Sequence, residues 1–275
     1  MAFDLVLENG EVLDGTGTPA QRLDVGVRAG RIAAVDSLTD AEAARRIDCS
    51  GRTIAPGFID MHSHADWVLP QPDHGEVLAP LVEQGITTVV SGNCGCTPAP
   101  IGGANARLVP ALGRMLHDRV LEYRWASLGE YLDLLDRQGL ALNNAQLVGH
   151  GTLRTAVKAM DPSTADEAEI AAMADLARAA LDEGAIGLST GLGYAPGVFA
   201  GTDELLGVTA PLRERGGVYA SHARSYVALA PRGDDAGTPT NVAALDETAA
   251  VHRAHGVPVQ HSHLIFVGDT TWPTT

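Results

Sequence analysis

Residues 58–67 read FIDMHSHADW, with His62 and His64 one residue apart at the end of an apolar run. In an extended chain residues i and i+2 face the same way, so the two imidazoles project together and can chelate one divalent cation. A solvated loop entrance carries such pairs too, so the spacing alone leaves both readings open. Asp60 falls on the same side, either orienting an imidazole from outside the coordination sphere or standing as an ordinary strand-end carboxylate. The stretch GNCGC (92–96) sets a cysteine between glycines. A thiolate there binds zinc well once the metal lowers its pKa, whereas a small buried thiol in a tight turn is the plainer alternative. Cys94 and Cys96 share a face, and spacing does not choose between them. His222 in YASHARSY and His263 in VQHSHLIF each end a predicted strand. The chain has only 10 His and 3 Cys, and His62/His64, Cys94, His150, His222 and His261/His263 all fall at predicted strand ends. That coincidence points to a metal, and a donor set of four histidines and a cysteine suits Zn²⁺ better than Mg²⁺ or Ca²⁺. It holds enough donors for one tight site and one weaker site.

The elements that must carry these residues follow from the hydrophobic rhythm. Residues 3–55 read as short strands: FDLVLENGEVLDG alternates around Asn9-Gly10, and DVGVRAGRIAAVD around Ala29-Gly30, both hairpin signals. From Pro56 onward apolar runs (TIAPGFIDMHSH, TTVVSGNCG, NAQLVGHG, AIGLSTGL, GVYASHA, VPVQHSHLIF) alternate with helical stretches. Most of those stretches end in Gly, as helix C-caps do. Strand, helix, strand in repetition implies parallel strands with helical crossovers, and runs that are apolar throughout imply strands covered on both faces. An open doubly wound sheet would spread the strand ends along an edge. A (β/α)8 barrel gathers them at one mouth. The expected fold is therefore α/β, a TIM barrel of which six strands are present over 56–275, preceded over 1–55 by part of a small β-sandwich domain.

Composition narrows the partners. Of 275 residues 45% are hydrophobic, the formal charge is −15, and no Lys/Arg cluster is present, which argues against nucleic acid and anionic membrane surfaces. No apolar stretch approaches the length of a membrane span. An odd cysteine count and the lack of a visible signal peptide suggest the cytoplasm. GLSTGLGYAPG (187–197) is glycine-rich, but without a GK[ST] pattern or basic charge it is not a phosphate cradle.

The HxH after PGFID, the β domain before it and the strand-end histidines resemble the amidohydrolase superfamily. The cysteine of GNCG, with GHGTLR (149–154), GLSTGLGYAPG, SHARSY (221–226) and the SH of VQHSHL, is similar to its D-aminoacylase (N-acyl-D-amino-acid deacylase) branch. The likeness runs through essentially the whole chain. Dinuclear members that bridge their metals with a carboxylated lysine fit poorly, because the single lysine, Lys158, lies several residues beyond a strand. The resemblance implies that Cys94, His222 and His263 hold the tight zinc, and that His62 and His64 form a weaker second site with Cys94 positioned to bridge. It further implies that His150, Arg224 and Tyr226 line the mouth and contact a small-molecule N-acyl-D-amino acid, and that the glycine-rich loop bounds the pocket. Leu264 and Ile265 follow His263 where relatives selective for acidic side chains carry a lysine, which favours uncharged substrates.

The reaction implied is zinc-dependent hydrolysis of the linear amide to a carboxylate and a D-amino acid. The chain ends at VGDTTWPTT, and the resemblance puts the last two barrel strands beyond residue 275, with the aspartate that serves as general acid and base. The expectation is therefore an N-terminal portion, weakly active or inactive alone, pairing with a C-terminal chain or with its own copies. Alternatives are a cyclic-amide hydrolase related to hydantoinase or dihydroorotase, and a non-catalytic zinc-binding fragment.

Overall fold

The computed structural model describes residues 2–114, 116, 121–228, 237–269 and 271–272. The chain divides into two compact units, Met1–Phe58 and Ile59–Thr275.

In the first unit β1 (Leu5–Val12), β2 (Gln21–Arg28), β3 (Arg31–Asp36) and β4 (Arg46–Asp48) form a sheet in the order β3-β2-β1-β4, with β5 (Thr53–Ile54) also paired to β1. The first three strands are antiparallel, and β4 and β5 run parallel to β1. Ala29-Gly30 makes the expected two-residue turn: Arg28 pairs with Arg31, and φ is +50° and +72° at the two central residues, as a type I′ hairpin requires. Asn9-Gly10 does not turn the chain. Both residues lie inside β1, whose register with β2 shifts between Leu7 and Gly10. Asn9 takes φ +64° there, and its backbone N–H donates to Asp24 Oδ1 at 2.9 Å. The left-handed tolerance of Asn is spent on a β-bulge, and the decisive partner lies outside any local window. Phe3, Val6 and Leu38 form the small core.

In the second unit the strands β6 (Phe58–Asp60), β7 (Ile86–Ser91), β8 (Asn143–Gly149), β9 (Gly187–Gly191), β10 (Val218–His222) and β11 (Val259–Ser262) lie side by side in chain order. The β7–β8, β8–β9, β9–β10 and β10–β11 pairs are parallel. The connections carry α1 (His74–Val77), α2 (Ala79–Glu83), α3 (Leu108–Gly113), α4 (Leu128–Gln138), α5 (His150–Lys158), α6 (Glu167–Asp182), α7 (Thr202–Thr209), α8 (Pro211–Arg215) and α9 (Thr240–His255). Local chemistry sets several ends. Asp166 and Glu169 form a capping box at the start of α6, the Ser127 hydroxyl caps α4, and Gly256 closes α9 in the left-handed region. Leu128, Tyr131, Leu135, Leu153, Met173, Ala177 and Leu188 are buried in the main core between helices and sheet. The sheet curls far enough for the Gln260 amide on β11 to donate to the Met61 carbonyl just past β6, at 3.4 Å. Among the described residues no helix is long and apolar enough to cross a membrane.

Candidate metal centre

Parallel strands in chain order bring their carboxyl ends to one side, and the turns leaving β6, β7, β10 and β11 meet there. Cys94 Sγ lies 3.3 Å from His62 Nε2, 3.6 Å from His222 Nδ1 and 3.4 Å from His263 Nε2. Two groups of potential ligands result, His62/His64/Cys94 and Cys94/His222/His263, the donor atoms of each lying within 4.8 Å of one another. Cys94 belongs to both. The rings are crowded, with centroids 4.3 Å apart for His62 and His263 and 4.9 Å for His222 and His263. Cys96, which spacing could not tell from Cys94, belongs to neither group.

The Cys94 turn is made possible by glycine. Cys94 has φ +59°, and Gly92 and Gly95 flank it at +80° and +71°. Behind the turn lies Gly191 of β9, where a Cβ would stand 2.3 Å from the Cys94 carbonyl oxygen. A Cβ on Gly95 would meet the Gly191 nitrogen at 2.6 Å, so the two backbones approach with nothing between them. The Ser189 hydroxyl accepts from the Gly95 N–H at 2.9 Å and donates to the Gly92 carbonyl. Thr152 N–H donates to the Gly95 carbonyl at 3.2 Å.

Burial leaves the imidazoles of His62 and His222 neutral. Burial, then the neighbouring imidazoles of His263 and His64, push His62 and His222 down to about 4, so their nitrogen lone pairs are available at neutral pH. Burial pushes the Cys94 thiol up to about 11, the direction a bound cation reverses. His62 Nδ1 and His64 Nδ1 are buried without a hydrogen-bond partner. Buried polar atoms are rarely left so, and these belong to a donor set of the right composition for zinc. The residues fit the ion.

Beside the cluster opens a cavity of about 670 Å³ lined by His64, Cys94, Cys96, Leu112, Leu116, Met160, Tyr194, Ala195, His222 and His263. Apart from the cluster and the Tyr194 hydroxyl its described walls are apolar, and no carboxylate is among the described lining residues. Asp60 Oδ1 accepts the His62 backbone N–H at 3.0 Å, so it shapes the turn. Asp66 is fully buried, with burial raising its carboxyl to about 7, and Gln146 donates to it at 3.4 Å.

Each of the three residues expected at the mouth has partners within the protein. His150 is the first residue of α5, not a strand end, and is fully buried. Its Nε2 lies 2.8 Å from Glu204 Oε1, which also accepts from Arg154 Nε at 3.0 Å. A GHG sequence after a strand reads equally as a strand end and as a helix start, and Glu204, 54 residues on, decides. Arg224 pairs with Glu247 at 2.9 Å and donates to the carbonyls of Val198 (3.0 Å) and Ala200 (2.8 Å). That ties the segment just after the glycine-rich stretch to α9. Tyr226 meets His222 edge to face with centroids 5.2 Å apart and is not among the described lining residues of this cavity. Tyr194, which the motif reading passed over, does line the cavity; its place in GLSTGLGYAPG was the available signal. Lys158 is held by Glu169 at 2.6 Å.

Residues 45–265 match the amidohydrolase family. The chain is 45% identical to a D-aminoacylase of Alcaligenes xylosoxydans xylosoxydans over 95% of its length and 50% of that protein's. It superposes on a D-aminoacylase whose binuclear metal centre shows one-metal activation and second-metal attenuation, at TM-score 0.85 and 41% identity, covering 98% of this chain and 53% of that one. It is also similar to N-acyl-D-glutamate deacylase of Bordetella bronchiseptica, solved with zinc and a phosphonate mimic of the tetrahedral intermediate. Here the TM-score is 0.81 at 38% identity, over 94% of this chain and 51% of that one. The chain thus spans about half the length of the relatives it matches, and its curled parallel sheet is the corresponding part of their barrel. With the family match running from β4 past β11, the chain belongs to the amidohydrolase family.

Proposed function

We propose that this chain carries the zinc centre and part of the substrate pocket of an enzyme that hydrolyses N-acyl-D-amino acids to a carboxylate and a free D-amino acid. The observation that carries the reading is the thiol of Cys94, set within 3.6 Å of three imidazole nitrogens from three different turns. Cys94, His222 and His263 would hold the tighter zinc, and His62 and His64 a second, weaker ion sharing the thiol. When bound there, zinc supplies Lewis acidity to the amide carbonyl and brings the pKa of an attacking water toward neutrality.

The chain's own residues bind and exclude. Leu112, Leu116, Met160 and Ala195 present apolar surface beside the cluster, which suits the uncharged parts of an acyl-amino acid and keeps bulk water from the reacting amide. Cys96, its thiol pushed up to about 12 by burial, stays neutral and serves as wall. Hydrolysis also needs a group that takes the proton from water and returns it to the leaving amine. The described lining of the cavity contains no carboxylate, and we assign that group to a further polypeptide, a C-terminal one or another copy. Three free cysteines favour a cytoplasmic setting.

The test is zinc titration of the purified chain, followed by assay on N-acetyl-D-methionine and its L-enantiomer. One tight zinc per chain with weak or no turnover is expected. Vigorous D-selective turnover would overturn the placing of the proton-transfer group elsewhere, and absence of tight zinc binding would overturn the metal centre.

A further inference from the structure

We infer that Tyr194 and Tyr226 are positioning residues of the metal centre, each hydroxyl holding one ligand-bearing turn in a left-handed backbone conformation; this rests on the metal reading above. Cys94 and His263 have φ of +59° and +56°, a region that residues other than glycine seldom adopt and keep only where their surroundings hold them. In both turns a phenolic hydroxyl supplies that hold. Tyr194 Oη donates to the Cys94 carbonyl oxygen at 2.6 Å. Tyr226 Oη donates at 2.9 Å to the carbonyl of Ser262, on the peptide bond that leads into His263.

Tyr226 does a second thing with the same oxygen. It accepts the N–H of Ala223, the residue after His222, at 2.8 Å. The backbone ladder between β10 and β11 ends at the His222–Ser262 pair; beyond it this hydroxyl links the two turns that present His222 and His263, and farther out the Val267 N–H donates to the Tyr226 carbonyl at 3.0 Å. The rings complete the packing: Tyr194 lies 5.0 Å from His222, and Tyr226 lies 5.2 Å from His222 and 6.3 Å from His263, centroid to centroid. The three donors of the tighter group are thus oriented by two tyrosines, neither of which needs to touch metal. Removing either hydroxyl leaves the ring in place and releases the peptide, which separates positioning from bulk.

The test compares Tyr194→Phe and Tyr226→Phe with Tyr219→Phe in the full chain. The Tyr219 hydroxyl bonds side chains inside the sheet, Thr190 Oγ1 at 2.8 Å and Ser221, rather than the carbonyl of a ligand turn. Zinc affinity is read by competition with a chromogenic chelator, ligand geometry by the visible absorption of the Co²⁺-loaded chain, and folding by circular dichroism without metal. The expected result is a loss of about 10- to 100-fold in zinc affinity for Tyr194→Phe and Tyr226→Phe, as for other groups that orient metal ligands, with shifted Co²⁺ bands and a retained fold. Tyr219→Phe should keep both affinity and spectrum. Unchanged affinity and spectrum in the two test variants would overturn the inference, as would an equal loss in Tyr219→Phe. Should one test variant fail to fold, the other decides; failure of both marks the hydroxyls as structural and overturns it. If the unsubstituted chain binds no zinc, the metal reading itself falls.

Discussion

His62 Nε2 lies 3.3 Å from Cys94 Sγ, and that contact joins the HxH turn to the Cys94/His222/His263 group through one shared sulfur. Cys94→Ala should therefore weaken both metal sites, and His64→Ala only one. Since loss of a group that merely orients a ligand costs about 10- to 100-fold in affinity, removal of Cys94 should cost more than about 100-fold at the tight site. His64→Ala should leave that site within a few fold. Isothermal titration calorimetry with zinc reads both stoichiometry and affinity.

The approach of Gly191 to the Cys94 carbonyl makes a second prediction. A Cβ at Gly191 would lie 2.3 Å from that oxygen and 2.4 Å from the Tyr194 hydroxyl. Gly191→Ala should cost about 1–3 kcal/mol, the usual range for forcing atoms into a packed interior, and should lower zinc affinity because the displaced atoms carry the ligand turn. Gly75→Ala is the control. Its Cβ would make only an ordinary contact with Ala141 at 3.6 Å, and within a helix alanine is favoured over glycine. Thermal melting with and without zinc distinguishes the two.

The buried Glu204 supplies a pH signature. Hydrogen bonding and charge from His150 and Arg154 outweigh the desolvation of its carboxylate, so its pKa lies below the usual carboxylate value. A depressed carboxylate stabilises the fold above its unfolded pKa, near 4.5, and that contribution is lost as pH falls through the lower folded value. Glu204→Gln leaves the Arg154 cation buried without its countercharge, at a cost of about 3 kcal/mol near neutrality. The gap between the variant and the parent chain should narrow as pH falls below about 4.5. Urea unfolding at a series of pH values, with the slopes compared, checks this.

The apolar wall predicts selectivity. Met160→Lys sets a cation at the edge of a cavity whose described walls hold no acid. Binding of N-acetyl-D-methionine to the zinc-loaded chain should weaken by about tenfold, within the range for small changes to an apolar pocket. Binding of N-acetyl-D-glutamate should tighten. Calorimetry with both ligands reads the ratio.

Much of this architecture can be read from local pattern. The apolar runs ending in FID, VVS, LVG, STG, ASH and QHS all became neighbouring strands, because an apolar segment covered on both faces has few other stable settings. The HxH spacing and the cysteine between glycines likewise carry their chemistry in their types and intervals, since strand periodicity and the φ freedom of glycine are local properties. Residues whose role depends on a distant partner resist such reading. Asn9-Gly10 has hairpin chemistry yet makes a bulge because Asp24 takes its N–H. His150 sits in a strand-end motif yet turns inward to Glu204. Tyr226 stands in a motif that suggested substrate contact, and its hydroxyl instead bridges Ala223 and Ser262. Residue types and periodicity thus marked the strands, their order and a set of candidate metal donors that still included Cys96 and His150. Which donors share the sulfur, and which hydroxyls bond the ligand turns, emerged from long-range packing. A side-chain hydrogen bond is chosen by what the folded chain brings within 3 Å, and sequence separation carries no record of that.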